Sequence, residues 1–326
     1  MERNSLIYAT FTASIEDRVK LVEERMRAQA DGHHPAVVAA LHHLLGSGGK
    51  RIRVVVTLLT GKMLDADKDK LVTLASAIES LHTATLVHDD LIDGALIRRG
   101  IPTLNAQWSS AATVLTGDFI FAKAAKLAAD TGSVGVMRIF AETLATIVNG
   151  EITQLFSSRW VANREDYYRR IYAKTASLFE ASTTTAAILS NASEDIVAAV
   201  KEYGYDIGMA FQIIDDILDF TSEQTTMGKP VASDLRQGLI TLPVLYFLEN
   251  HPDDVDMKNI LQSSFCDEDC LGRLLTSIRE SGAIELSLNE ARNSVQKGLD
   301  VLMKLPESQE RKALEDLACY IIDREI

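Results

Sequence analysis

Three cysteines, six prolines and 6% aromatic residues are few for a chain of 326 residues, and basic residues are outnumbered 33 to 46. Each shortage excludes something. Cys266, Cys270 and Cys319 are too few for a disulfide framework and lack zinc-ligand spacing, so they read as incidental thiols in a reducing cytoplasm. Few aromatics beside abundant Ala, Leu and Ile suit packed helices better than sheets. The net charge of −13 argues against a nucleic-acid partner. It also requires that any anionic substrate be held by local cations against an unfavourable overall field. No uninterrupted apolar run is long enough to span a bilayer, and Met1 to Lys20 carries charges without a signal-peptide core. The expectation is a protein of the cytoplasm whose 47% hydrophobic content supplies a large core.

What is present has helical periodicity. Helices are predicted over 11–31, through Val37 to Leu45, and over 70–93, 109–130, 134–158, 164–190 and 194–220. Another is predicted to start near Leu242, and 253–326 reads as successive helices broken at Gly282 and Pro306. The β-branched triplet Val54-Val55-Val56 has no partner strand and is assigned to a helix. Gly94 to Pro102 and Thr221 to Pro230 read as loops. No composition shift marks a boundary, so residues 1–326 are expected to form a single all-α domain.

Two acidic blocks organise the sequence: His88-Asp89-Asp90-Leu91-Ile92-Asp93 and Ile214-Asp215-Asp216-Ile217-Leu218-Asp219. On a helix, i and i+4 share a face, which pairs Asp89 with Asp93 and Asp215 with Asp219. A single such block reads equally well as a solvated acidic turn. Two blocks flanked by Leu, Ile and Val call for a neutralising cation, and hard divalent ions with oxygen ligands fit. Separate basic groups accompany them. Lys50 and Arg53 follow Gly48-Gly49 and are expected on one side of a helical turn, Arg98 and Arg99 follow the first block, and Lys174 and Lys229 come later. His82 lies seven residues before Asp89, near the same helical face. Taken singly, each is a charged turn, a surface side chain or, for His82, a core histidine. Together they describe a protein that grips one phosphate group through magnesium and another through guanidinium and ammonium groups. The small side chains before Asp89 (Ser80, Thr83, Ala84, Thr85) mean either close helix packing or room for an apolar cavity.

At this point the sequence resembles the trans-polyprenyl diphosphate synthases. The resemblance rests on Gly48-Gly49-Lys50-Arg51-Ile52-Arg53, Glu79 through Asp93, Arg98-Arg99-Gly100, Gly117-Asp118 and Gly150-Glu151 with Gln154. It continues through Lys174-Thr175, Phe211 to Asp219, Gly228-Lys229, Asp234-Leu235-Arg236 and Leu317 to Arg324, in that family's order. It implies an antiparallel helix bundle around a central cavity, the isoprenoid synthase fold, paired as a homodimer. The implied reaction is head-to-tail condensation of isopentenyl diphosphate onto an allylic diphosphate such as farnesyl diphosphate. By the same resemblance Asp89, Asp93 and Asp215 hold magnesium, three ions in all, supported by Asp90, Asp216 and Asp219. Arg98, Lys174 and Lys229 hold the allylic diphosphate, and Lys50, Arg53, His82 and Arg99 hold isopentenyl diphosphate. Thr175 and Gln212 line the place where the carbocation forms.

Product length is implied by residues four and five before the first aspartate, Thr85 and Ala84. Both are small, which points to six or more isoprene units. A deeper floor at Leu81 or Ile78, with Leu115 or Phe119 opposite, would give a four-unit product instead. Leu239 stands where many members carry lysine, which leaves more of the diphosphate binding to Lys229. A terpene cyclase would differ in its second metal motif, a head-to-head synthase would lack the Gly-Gly-Lys-Arg block, and a di-iron bundle would need Glu-x-x-His pairs. A subunit of a heteromeric prenyl synthase is the remaining alternative.

Overall fold

The computed structural model describes residues 8–46, 48–157, 162–221, 231–263 and 267–324. Side chains that return their hydroxyls to the backbone allow the helix over Lys68–Ile92 to be buried on most sides. Helices α1 (Glu16–Ala28), α2 (Pro35–Gly46) and α3 (Ile52–Met63) precede the 25-residue α4 (Lys68–Ile92). Asp67 starts α4 by accepting the Lys70 amide at 2.9 Å. Within α4, Ser76 Oγ donates to the Val72 carbonyl and Thr83 Oγ1 to that of Glu79, each at 2.8 Å. These bonds satisfy groups that would otherwise oppose burial, and Leu74, Ala75, Ala77, Leu81 and Ala84 are fully inaccessible.

Beyond α4 the chain forms a small antiparallel hairpin, β1 (Ile97–Arg98) with β2 (Ile101–Pro102), where the sequence reading had a loop. Its turn residues Arg99 and Gly100 have φ of 52° and 77°, the doubly left-handed geometry that matches strand twist. Alternation over two residues per strand is too short to be seen in a sequence. Then follow α5 (Ser110–Asp130), packed along α4, and α6 (Val134–Phe156), α7 (Arg164–Ile171), α8 (Ser177–Leu189) and α9 (Glu194–Thr221). After a one-turn helix at Ser233–Arg236 come α10 (Leu242–Asn250), α11 (Val255–Ser263), α12 (Glu268–Glu280), α13 (Ala283–Leu302) and α14 (Gln309–Ile322). The fold is all-α, as expected, and Val54-Val55-Val56 is helical within α3. Among the described residues no helix is long and apolar enough to cross a membrane.

The chain clusters into two compact units. Unit 1 comprises residues 1–145, 178–204 and 301–317, and unit 2 comprises 146–177, 205–300 and 318–326. The core of unit 1 is α4 with α1, α3 and α5 against it, and Tyr203 is anchored by donating to the Leu314 carbonyl at 2.8 Å. Unit 2 packs Ile213, Ile214, Ile217 and Phe220 of α9 with Phe247, Leu274 and Ile278, all buried. Of the cysteines, Cys270 is buried and Cys319 exposed, while Cys266 lies outside the described residues.

Unit 1 also contains an ion pair that ties the glycine segment to α4. Arg51 donates from Nη1 to Glu79 Oε1 at 2.7 Å and from Nη2 to the Leu45 carbonyl at 3.1 Å. The side chains are 9% and 4% exposed, so removing one partner strands a buried charge. Glu79→Leu is expected to lower unfolding free energy by about 3 kcal/mol in urea titration. The double variant with Arg51→Met should recover part of the loss, and equal losses for single and double variants would contradict the pairing.

Candidate active site

One group of candidate residues, in unit 1, is built where α3 and α4 begin and end. Gly48 and Gly49 have φ of 71° and 133°, and Arg51, at φ 45°, caps α3 from the left-handed region. Lys50 therefore belongs to the extended glycine segment, and its carbonyl accepts from Tyr8 at 2.7 Å. The expectation that Lys50 and Arg53 share a helical turn is corrected by this: α3 begins only at Ile52. Glycine at position 49 is favoured by its φ of 133°, and its bare Cα lets the guanidinium of Arg99 approach and donate to the Gly48 carbonyl at 2.5 Å.

Four arginines converge electrostatically on His82. Its pKa is held well below the usual 6.5, first by burial and then by Arg53, Arg99, Arg98 and Arg51. The ring is neutral, its Nε2 is 3.2 Å from Arg53 Nη1, and the Arg53 guanidinium also lies 4.8 Å from the Phe179 ring centroid. The pKa of Arg99 is itself lowered, first by desolvation and then by Arg51. A pocket that depresses both an imidazole and a guanidinium favours an anion.

Asp89 and Asp93 sit at the end of α4, one helical turn apart, with the Asp93 amide bonded to the Asp89 carbonyl at 2.8 Å. Asp93 is exposed and Asp89 half-buried. Asp90 is buried and accepts Arg98 Nε at 2.8 Å, so the arginine neutralises Asp90. Of the chain-length residues, Ala84 and Leu81 are fully buried. Thr85 is half-buried, with its hydroxyl on the His82 carbonyl at 2.8 Å. Ile78 is buried too, whereas Leu115 is 68% exposed on the outer face of α5 and floors nothing within one chain. Phe119 instead meets the edge of the His33 ring at 4.9 Å.

A separate group of candidate residues, in unit 2, depends on a feature no periodicity reveals. The predicted helix 164–190 is interrupted by a π-turn, Tyr172–Ala176, that holds Lys174 and Thr175. One extra residue per turn re-aims both side chains, a common device at functional sites. A Cβ on Gly150 of α6 would stand 2.5 Å from that of Ala173, so glycine lets α6 approach this turn. Lys174 Nζ lies 3.2 Å from Glu151 Oε1.

The three aspartates of the second block have different partners. Asp215 is paired with Arg324 at 2.8 Å, and that guanidinium lies 4.2 Å from the Phe211 ring centroid. Asp216 is buried and accepts both Gln212 Nε2 and the Tyr167 hydroxyl at 2.8 Å. Burial, and then the charge of Asp234, push its pKa up to about 8, against the lowering effect of those two donors. Asp219 takes the Ser233 and Asp234 amides at 3.0 Å each and so caps the Ser233–Arg236 turn. Thr175 donates to Gln212 Oε1 at 2.6 Å. Lys229 lies outside the described residues. A cavity of about 480 Å³ in unit 2 is lined by Thr146, Gly150, Gln154, Arg170, Tyr172 and Leu239 among others, so the position where lysine is common presents a leucine. Sequence reasoning missed the roles of Arg51 and Tyr167, whose partners are distant in sequence. It quoted Arg324 in a motif without giving it a role.

These arrangements join the comparisons with known proteins. The Polyprenyl synthetase family pattern matches residues 34–278. The chain belongs to that family. It is a prenyltransferase. It is 37% identical to the heptaprenyl diphosphate synthase component 2 of Bacillus subtilis, over 98% of this chain and 91% of that one. Among solved structures it is similar to a decaprenyl diphosphate synthase from Rhodobacter capsulatus, with TM-score 0.90, 32% identity and coverage of 97% and 98%. A polyprenyl synthase from Caulobacter crescentus complexed with calcium and isoprenyl diphosphate gives TM-score 0.91, 32% identity and 98% coverage of both chains.

The depressed His82 pKa generates a test. Because it is lower folded than unfolded, its contribution to stability is intact above about pH 6.5 and is lost as the pH falls through the folded value. Inorganic diphosphate bound beside Arg53 and Arg99 should raise the His82 pKa toward 6.5, read by NMR titration of labelled histidine. An unmoved resonance would place the anion elsewhere.

Proposed function

We propose that the chain condenses isopentenyl diphosphate head-to-tail onto an allylic diphosphate such as farnesyl diphosphate, giving a long all-trans polyprenyl diphosphate and diphosphate. The observation that carries this is the grouping of Arg53, Arg98 and Arg99 around a neutral His82, on the same helix α4 that ends in the Asp89/Asp93 pair. That pairing suits a diphosphate held partly by guanidinium groups and partly through a divalent ion. The Asp89/Asp93 pair at the end of α4 fits magnesium, which takes one or two carboxylates and completes its shell with substrate oxygens and water. Asp89, Asp93 and Asp215 would hold it, with three ions implied by the family resemblance. Bound there, it supplies positive charge to the departing diphosphate.

The chain's own residues account for the other requirements. Lys174, Arg98 and Lys229 stabilise the allylic diphosphate as it takes the electron pair of the breaking carbon–oxygen bond. Lys50, Arg53, His82 and Arg99 hold isopentenyl diphosphate so that its double bond attacks the cation at short range. Oxygens of Thr175 and Gln212 border the cation, and the released diphosphate takes the proton. Exclusion of water prevents hydrolysis of the cation. Residues 1–326 act as one synthase domain in this reading, because α6 and α9 run from one compact unit into the other.

A homodimer is part of the proposal, supported in unit 1 by exposed Ile92, Leu96, Ile97, Val114 and Leu115. The name of the Bacillus subtilis relative, a synthase component, supports a second reading in which a different chain completes the enzyme. A cytoplasmic location without nucleic-acid partners accords with the net charge of −13 and the three scattered cysteines.

Purified protein with magnesium, labelled isopentenyl diphosphate and farnesyl diphosphate is expected to give products of six or more units after dephosphorylation. A four-unit product would overturn the long-chain reading, and no product from the chain alone would favour the second-subunit reading. Thr85→Phe, which puts a bulky ring on the half-buried face of α4, should shift the products to shorter chains. An unchanged distribution would remove Thr85 from the floor.

A further inference from the structure

Unit 2 contains a hydrogen-bonded chain that the sequence motifs do not announce. The Tyr167 hydroxyl donates to Asp216 Oδ2 at 2.8 Å, Gln212 Nε2 donates to Asp216 Oδ1 at 2.8 Å, and Thr175 Oγ1 donates to Gln212 Oε1 at 2.6 Å. Tyr167 and Asp216 are 1% and 3% exposed, so no bulk water replaces a lost donor. Two stretches separate in sequence are involved: α7 with the π-turn that continues it supplies Tyr167 and Thr175, and α9 supplies Gln212 and Asp216.

The chain has a direction. Gln212 turns its NH₂ to the Asp216 oxygen that Tyr167 leaves open and its carbonyl to Thr175. With its carbonyl facing Thr175, Gln212 takes the hydroxyl proton of that residue. Thr175 Oγ1 and Gln212 Oε1 each retain lone-pair capacity beyond the bond between them, the groups that stabilise a neighbouring cation, while Gln212 keeps one further N–H. Tyr167 occupies the second oxygen of Asp216 and keeps the carboxylate from rotating away from Gln212. The ring is itself fixed, with the Arg170 guanidinium 5.6 Å and the Tyr168 ring 5.4 Å from its centroid.

We propose that Tyr167 is a positioning residue: through Asp216 it sets the amide of Gln212 and so the hydroxyl of Thr175, which presents oxygen rather than hydrogen to the allylic cation. This rests on the prenyl-transfer reading above and adds a residue to it. Tyr167 touches neither substrate, so its loss acts on the rate of ionisation and leaves substrate binding unchanged.

Tyr167→Phe removes one oxygen and keeps the ring. The full-length variant is expected to lose about tenfold in kcat while KM for both diphosphates stays within about twofold, as befits a contact that matters in the transition state. Coupling supplies the readout that mere support of the fold would not move. In a Gln212→Leu background, adding Tyr167→Phe should cost little further rate, because the link it acts through is already broken. Multiplicative losses in the double variant, an unchanged kcat, or a loss confined to KM would each overturn the proposal. Should Tyr167→Phe unfold, as judged by thermal melting, Asp216→Asn weakens the same chain one link on and enters the same cycle with Gln212→Leu. A wild-type protein that forms no product would instead defeat the prenyl-transfer reading.

Discussion

Like charges held together by the backbone are the constraint on which unit 1 depends. Arg51, Arg53, Arg98 and Arg99 all act on one imidazole, which stays neutral first because it is desolvated and then because a fifth positive charge there is costly. Two of the four are restrained by carboxylates, Arg51 by Glu79 and Arg98 by Asp90, and Arg99 is fixed on the Gly48 carbonyl. Folding thus sets a cationic pocket in place before any ligand arrives, which reduces the reorganisation that binding would otherwise demand. The left-handed Arg51 and Arg99 are the backbone strain that accompanies it, and the two glycines take their positive φ without that cost.

Unit 2 solves the opposite problem. Asp216 is buried where its charge is disfavoured, and donors from Tyr167 and Gln212 satisfy it. Its neighbours in the block diverge: Asp219 becomes a helix cap, and Asp215 meets Arg324 from the end of the chain. An Asp-Asp-x-x-Asp pattern therefore encodes three environments within five residues, each set by what packs against one side of the helix. Coordinating, structural and surface carboxylates are told apart only by that packing.

Much of this was legible beforehand, and the gaps have identifiable causes. Helices carried by 3.6-residue periodicity, such as α4, α5 and α9, lie where the sequence reads them. The Asp89/Asp93 stacking and the grouping of Arg53 with His82 follow from spacing and from the ordered motifs. Illegible were departures of a single residue: the π-turn at Tyr172–Ala176, the left-handed cap at Arg51 and the hairpin turn at Arg99-Gly100. Each depends on tertiary contacts that override a local preference. The partners of Arg51 and Tyr167 lie 28 and 49 residues away, so pairings rather than residue types were hidden. Recognition of the family came from the order of motifs along the chain. Neither composition nor any one motif would have sufficed.

The central claim is that one diphosphate is gripped through metal-bound carboxylates and another directly by guanidinium groups. Calorimetric titration of inorganic diphosphate, with and without magnesium, tests it on the wild type, Asp89→Ala and Arg53→Ala. The account predicts two components in the wild type. Asp89→Ala should abolish only the magnesium-dependent one, and Arg53→Ala should weaken only the metal-independent one. A single component, equally weakened by both substitutions and indifferent to magnesium, would contradict it.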